Sequence, residues 1–327
     1  MFNSELMKKL SDCFGPSGRE KTIREMIINE IKDYADEITI DPLGNLIARK
    51  KGTGKKILFS AHMDQIGLII THIDEKGFLR FANVGGLNAK ELLGLRMVFA
   101  NGLEGVICQE ELKDKEKVTI SKLFLDVAST DKEFVQKKFR VGDMCVFKTE
   151  YYETKDSVIC KAADDRIGCY ILIEALKNHP DTENDVYYVF SVQEEVGCRG
   201  AKTAGYTINP DLAIAIDVTA TGDTPDGIKM EVKLGGGAAI KLMDKSMITN
   251  TEVKDLLTYL AEKNGIKYQY EILEFGGTDA GPIHTSREGV PSGVISIPTR
   301  NLHTSGEIFN KSDVEECIKL VKATISK

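Results

Sequence analysis

The stretch from Val186 to Val192 is β-branched and aromatic, contains no Gly or Pro, and runs straight toward two adjacent glutamates, Glu194 and Glu195. Such a run reads as a buried strand, and Gly197 allows a sharp turn after it. A buried strand that delivers two carboxylates restricts the fold strongly, because open α/β sheets keep their ligand sites at the carboxyl ends of their strands. Negative charge in that place is costly unless something positive faces it. Acidic pairs are also common in solvated loops, and what separates the two readings is whether other strands end the same way.

Read in order, the chain repeats the pattern. Leu6, Met7, Leu10 and Cys13 recur at helical spacing up to a break at Phe14, Gly15 and Pro16. Ser17 with Glu20 forms a capping-box pattern for a second helix that turns Ile23, Met26, Ile27 and Ile31 inward. A hairpin around Asp41, Pro42, Gly44 and Asn45 precedes a short strand over 57–61, which delivers His62 and Asp64. From about Gln65 to Lys161 the texture changes to short strands divided by Gly, Asn-Gly and Asp turns, with a helical turn near Glu133 to Phe139. His72, in one of those strands, reads as a half-buried structural histidine.

After this insert βα alternation resumes. A strand leads to Asp164 and Asp165, and Ile167, Ile171, Leu172, Ala175 and Leu176 then follow helical periodicity. The two acids therefore sit at a helix N-terminus, which by itself favours negative charge. A strand over 211–216 ends at Asp217, and a strand over 294–297 leads to Arg300 and His303. A second capping box, Ser312 with Glu315, opens a C-terminal helix through Val314, Cys317, Ile318 and Val321. His179 and His284 read as structural.

The predicted fold class is α/β: a doubly wound, mixed-sheet domain built from residues 1–65 and 161–327, with an inserted all-β domain, barrel-like or PDZ-like, over 66–160. A chain of 327 residues is long enough for both. A net charge of -7 with no Lys/Arg stripe argues against a nucleic-acid or acidic-membrane partner. Seven scattered cysteines with no Cys-x-x-Cys pair read as free thiols of a reducing compartment. The first twelve residues mix charges with apolar positions, and no apolar run approaches a membrane span, so neither signal peptide nor membrane segment is expected. The expected location is the cytoplasm.

Five strand ends thus present a carboxylate or an imidazole: His62 with Asp64, Asp164 with Asp165, Glu194 with Glu195, Asp217, and His303. Neutral imidazole plus carboxylate is the ligand set of zinc and similar divalent ions, and five such groups exceed the three protein ligands of one catalytic site. Two metals sharing a bridging carboxylate would use them all. Ions spaced roughly 3.5–4 Å apart activate a water and stabilise a hydrolytic oxyanion.

The segments AHMDQIG at 61–67, AADDRIG at 162–168, QEEVGCRGA at 193–201, DVT at 217–219 and the stretch around His303 resemble the tetrahedral (TET) aminopeptidases. These are co-catalytic di-metal exopeptidases, also named glutamyl or deblocking aminopeptidases and, in places, endoglucanases. The resemblance covers nearly the whole chain, including a β domain inserted between the first and second motifs. It implies that one metal is held by His62 and Asp217, the other by Glu195 and His303, with Asp164 bridging both. It further implies Glu194 as general base and Asp64 as the outer carboxylate that fixes the tautomer of His62. Asp165 is left a structural role, at the helix cap or pairing with Arg166. The implied ions are zinc or cobalt, the substrates peptides, and the assembly a homo-oligomer in which dimers build a tetrahedral dodecamer.

Gln65 and Asn301 depart from the family, where Glu and Tyr are more usual. Neither change removes a ligand or the base, and both bear on pocket shape. Loops at 235–237 and 276–281 match family loops lining the cleft, which brings Asp279 toward a peptide N-terminus. Two other readings compete with the aminopeptidase. A glycoside hydrolase would use a carboxylate pair but leave both histidines idle, and a chain without Trp lacks the best sugar-stacking residue. A disabled binding or assembly protein on the same fold conflicts with the full set of implied ligands. A Rossmann dehydrogenase lacks its Gly-x-Gly-x-x-Gly.

Overall fold

The structure, a computed structural model, describes residues 2–113 and 116–327. Helices α1 (Ser4–Asp12) and α2 (Lys21–Ile31) open the chain, followed by the hairpin β1 (Glu37–Ile40) and β2 (Leu46–Lys50) and by β3 (Lys56–His62). α1 buries Leu6, Met7 and Leu10 as its spacing predicts, and Asn3 caps it by accepting from the Leu6 amide at 3.1 Å. The capping box expected before α2 is not made. Ser17 Oγ donates to Asp64 at 2.6 Å instead, and Glu20 accepts from the amides of Gly18 and Gln193 at 2.6 and 3.2 Å. Both side chains are buried, and their tertiary partners override the local pattern.

The insert contains β4 (Gly67–Ile73), β5 (Leu79–Val84), the single turn α3 (Ala89–Leu92), β6 (Arg96–Phe99), β7 (Glu104–Gln109), β8 (Leu123–Asp126), α4 (Lys132–Lys138) and β9 (Met144–Phe147). Its strands close into a barrel in the order β4-β5-β8-β7-β6-β9. Alternate residues such as Leu68, Ile70, Phe81, Met97, Ile107 and Leu125 fill the interior, a core separate from that of the main sheet. His72 is exposed rather than half-buried. The register slips between Ile70 and His72, and this bulge turns both Thr71 and His72 outward.

The chain then returns through β10 (Tyr152–Glu153), β11 (Ser157–Cys160), α5 (Ala163–Lys177), β12 (Asp185–Ser191), α6 (Arg199–Ile208), β13 (Leu212–Thr219), β14 (Ala238–Met243), α7 (Thr251–Lys263), β15 (Tyr268–Ile272), α8 (Ala280–His284), β16 (Ser292–Arg300), β17 (Glu307–Asn310) and α9 (Lys311–Ile325). Eleven strands join in one mixed sheet along the path β1-β2-β12-β3-β13-β16-β17-β11-β10, with β14 on β16 and β15 on β14. The central four, β12, β3, β13 and β16, are parallel. They read as near-continuous apolar runs because both faces are covered. Phe59 belongs to the core shared with α1, α2, α5, α7 and α9, while its neighbour Leu58 belongs to the separate core shared with α6 and α8.

α5 is apolar almost all round, burying Ile167, Tyr170, Ile171, Leu172, Ile173 and Leu176, as a helix between sheet and other helices must. Each of these larger side chains contributes about 1.5–3 kcal/mol on leaving water. α9 is capped two residues before its expected box, by Asn310 Oδ1 accepting from the Ser312 amide at 2.9 Å. Among the described residues no helix is long and apolar enough to cross a membrane. All seven cysteines are free.

Candidate metal centre

The carboxyl ends of the four parallel strands lie side by side, so residues far apart in sequence meet there. His62 is the last residue of β3, opposite Ser191 of β12. Its Nε2 lies 2.9 Å from Asp164 Oδ1 and 3.9 Å from both Asp217 Oδ1 and Glu194 Oε2. His303, in the turn between β16 and β17, brings Nε2 to 3.2 Å from Asp164 Oδ2 and 3.4 Å from Glu195 Oε2. Asp164 therefore stands between two imidazoles with one oxygen toward each. Asp217 lies inside β13, which runs on to Thr219 rather than stopping at the acid.

Around this cluster the backbone is held by carboxylates. Asp64 accepts from Ser17 Oγ at 2.6 Å and from the amides of Glu194 and Glu195 at 2.9 and 3.3 Å. Its Oδ1 is 3.6 Å from His62 Nδ1, and the shorter contact of that nitrogen, 3.2 Å, is with the Asp64 carbonyl. Asp165 accepts from the amides of His62 at 3.1 Å and Gly168 at 3.0 Å, which fills both of its oxygens and caps the regular part of α5. The Asp164–Asp165 peptide is cis. Arg166 does not pair with Asp165; it is fully buried and donates to the carbonyls of Leu10, Cys13 and Gly15, closing the end of α1.

Sequence reasoning missed Glu307. This residue of β17 accepts from the Asp164 amide at 3.0 Å and from the His303 amide at 2.9 Å, so one carboxylate fixes the backbone of two cluster residues. It also missed Cys198, whose thiol donates to Glu194 Oε1 at 2.9 Å. Asp279 is buried, accepting from Ser60 and Ser191 at 2.6 Å each. His179 meets Tyr188 Oη at 2.8 Å and His284 the Ala280 carbonyl at 3.2 Å, away from the cluster.

Burial dominates the electrostatics. It pushes the carboxyls of Glu195, Asp165 and Asp217 well above their ordinary range, reinforced in each case by a neighbouring carboxylate. Burial likewise takes Glu194 up to about 7 and Glu307 up to about 8. Asp164 goes the other way, because its bonds to His303 and His62 outweigh burial. So many buried acids against two imidazoles form a site short of positive charge. His62, Asp164 and Glu195, and likewise His62, Asp165 and Asp217, offer ligand atoms within 4.8 Å of one another. Glu195 Oε1 is buried without a hydrogen-bond partner among the described residues. The mixed nitrogen and oxygen donors fit a divalent ion of the zinc type.

A doubly wound sheet that gathers such donors at the ends of its parallel strands defines a metal-dependent hydrolase. Comparison with known proteins narrows the class: residues 44–320 match the M42 glutamyl aminopeptidase family, and the chain belongs to that family of metal-dependent aminopeptidases. It is 36% identical to the lysyl aminopeptidase of Pyrococcus furiosus, over 99% of this chain and 97% of that one. The aminopeptidase APDkam598 of Desulfurococcus kamchatkensis has the same fold with a TM-score of 0.95 and 40% identity, covering 98% of this chain and 94% of its own. The TET1 peptidase of Pyrococcus horikoshii, which can assemble into a tetrahedron or a large octahedral shell, matches with a TM-score of 0.89 and 36% identity over 99% of each chain.

Proposed function

We propose that the enzyme removes N-terminal residues from peptides at a centre of two divalent ions, zinc or cobalt. His62 and Asp217 would hold one ion, Glu195 and His303 the other, and Asp164 both. The observation that carries this reading is the position of Asp164, whose two oxygens face two different imidazoles at 2.9 and 3.2 Å. Bound there, the ions supply Lewis acidity to the scissile carbonyl and lower the pKa of water.

The side chains of the adjacent glutamates diverge, Glu195 toward His303 and Glu194 toward Cys198 and the His62 side. Glu194 is thereby free to act as general base: it takes a proton from the attacking water and returns it to the leaving amine nitrogen. Asp64 sets the two glutamates by holding both of their amides, and its carbonyl holds the His62 ring.

The barrel from β4 to β9 serves as a separate domain for assembly and substrate access; the expected insert, 66–160, is cut back at its end, because β10 and β11 pair into the main sheet. The relative that forms tetrahedral and octahedral shells supports a homo-oligomer here, dimers building a dodecamer that admits short or unfolded peptides. Free thiols on all seven cysteines support a cytoplasmic location. Glycoside hydrolysis is not favoured, because it gives no role to His62 or His303.

Glu194→Gln tests the division of labour between the glutamates. Expected is retention of both ions by elemental analysis with turnover lowered by about 100-fold or more, while Glu195→Gln loses metal. Activity that survives in Glu194→Gln, or metal lost from it, would overturn the assignment. On a panel of free and N-acetylated peptides, stepwise N-terminal loss that stops with chelator and returns with zinc or cobalt identifies the reaction.

A further inference from the structure

The barrel touches the metal centre through a turn. β5 ends at Val84, the chain passes through Gly85 and Gly86, and the Gly86 carbonyl lies 2.8 Å from His303 Nδ1. A carbonyl can only accept, so Nδ1 carries the proton. Nε2, which faces Asp164 and Glu195, is then the nitrogen available for coordination.

The turn is shaped for this approach. Asn83 Nδ2 donates to the Gly85 carbonyl at 2.6 Å. Gly85 has φ +83°, and a Cβ there would fall 2.7 Å from Ile66 Cγ2 and 3.0 Å from Glu195 Oε2. A Cβ on Gly86 would fall 3.0 Å from His303 Nδ1 and 3.3 Å from its Cε1. Two glycines thus let the backbone close on both members of the His303 and Glu195 pair. At the base of the barrel, Gln65 ties the first connection down, its amide to the Gly15 carbonyl at 3.1 Å and its side chain to the Cys13 carbonyl at 3.0 Å. A candidate metal ligand therefore takes its outer partner from a unit with a hydrophobic core of its own.

We propose that the Gly85–Gly86 turn is a positioning element of the metal centre, so that the ion held by Glu195 and His303 is retained only while the barrel is seated on the α/β unit. This rests on the ligand assignment made above. Contacts that shift the barrel, including those between subunits, then change the occupancy of this ion and spare the one held by His62 and Asp217.

The test is zinc binding by equilibrium dialysis and elemental analysis on the full chain, with folding checked by circular dichroism. Gly86→Ala pushes the His303 ring; Asn83→Ala loosens the turn without crowding it. Expected in both is one zinc weakened by about 10- to 100-fold, as for loss of an outer partner, with the other unchanged and activity falling with the weakened ion. Two zinc ions at wild-type affinity in both variants would overturn the proposal, as would equal weakening of both ions. His303→Ala separates the two layers of the argument: if it keeps both ions at wild-type affinity, the ligand assignment itself has failed and the proposal falls with it.

Discussion

Asp64 and Glu307 are buried carboxylates that hold backbone amides. Glu307→Ala leaves the amides of Asp164 and His303 unpaired, each at a cost of about 1–3 kcal/mol; a lowered melting temperature together with zinc loss is expected, and an unchanged melting curve would contradict it. A surface carboxylate gives a pH signature. Arg300 pairs with Asp223 through contacts of 2.9 and 2.6 Å, and this bond lowers the Asp223 carboxyl to about 2. A carboxyl depressed in the folded state stabilises above its ordinary value near 3.8 and loses that contribution as pH falls through about 2. Asp223→Asn should therefore be less stable than the parent at pH 7, by no more than about 1 kcal/mol for an exposed pair, with the gap closing between pH 4 and 2 in denaturant melts. The residues His62, Asp164, Glu194, Glu195, Asp217 and His303 could be picked out from sequence because each follows or closes an apolar run. Glu307 could not: a glutamate opening a four-residue strand carries no periodic signal. Nor could Arg166, whose partners are main-chain carbonyls of a distant turn.

At the scale of elements, long periodic helices and apolar strands were legible, and several short pieces were not. α5 followed from spacing and α9 from spacing with a capping pattern, whereas β8, Leu-Phe-Leu-Asp after a polar run, is too short for alternation to separate from a turn. β17, also four residues long, escaped for the same reason. Both capping boxes failed because their residues met better partners: Ser17 found Asp64, and Asn310 reached the α9 amide first. The barrel has its own interior, so damage there should stay local at first. Leu125→Ala removes a fully buried side chain and should cost about 2–5 kcal/mol. Hydrogen exchange should speed up in β4 to β9 while β3, β12 and β13 keep their protection. Equal acceleration in the main sheet would mean the two cores melt as one.

For the whole molecule, the proposed shell predicts a mass in light scattering far above the 36.1 kDa chain at several concentrations with metal present. A monomer mass throughout would exclude it. The order of the sheet carries another consequence. The strands that bear the cluster are interleaved, with β12 and β13 flanking β3, and β11 joined to the central strands through β17. The strand just before Asp164 pairs early with β10 but must wait for residues 307–310 before it is joined to the central strands, and His303 lies just ahead of them. On the proposed ligand set, a chain not yet extended past His303 would be an unarmed hydrolase, unable to attack its own or neighbouring nascent termini. Chains stalled before His303 should cleave no peptide and hold fewer zinc ions than released ones, and activity in such stalled chains would refute that timing.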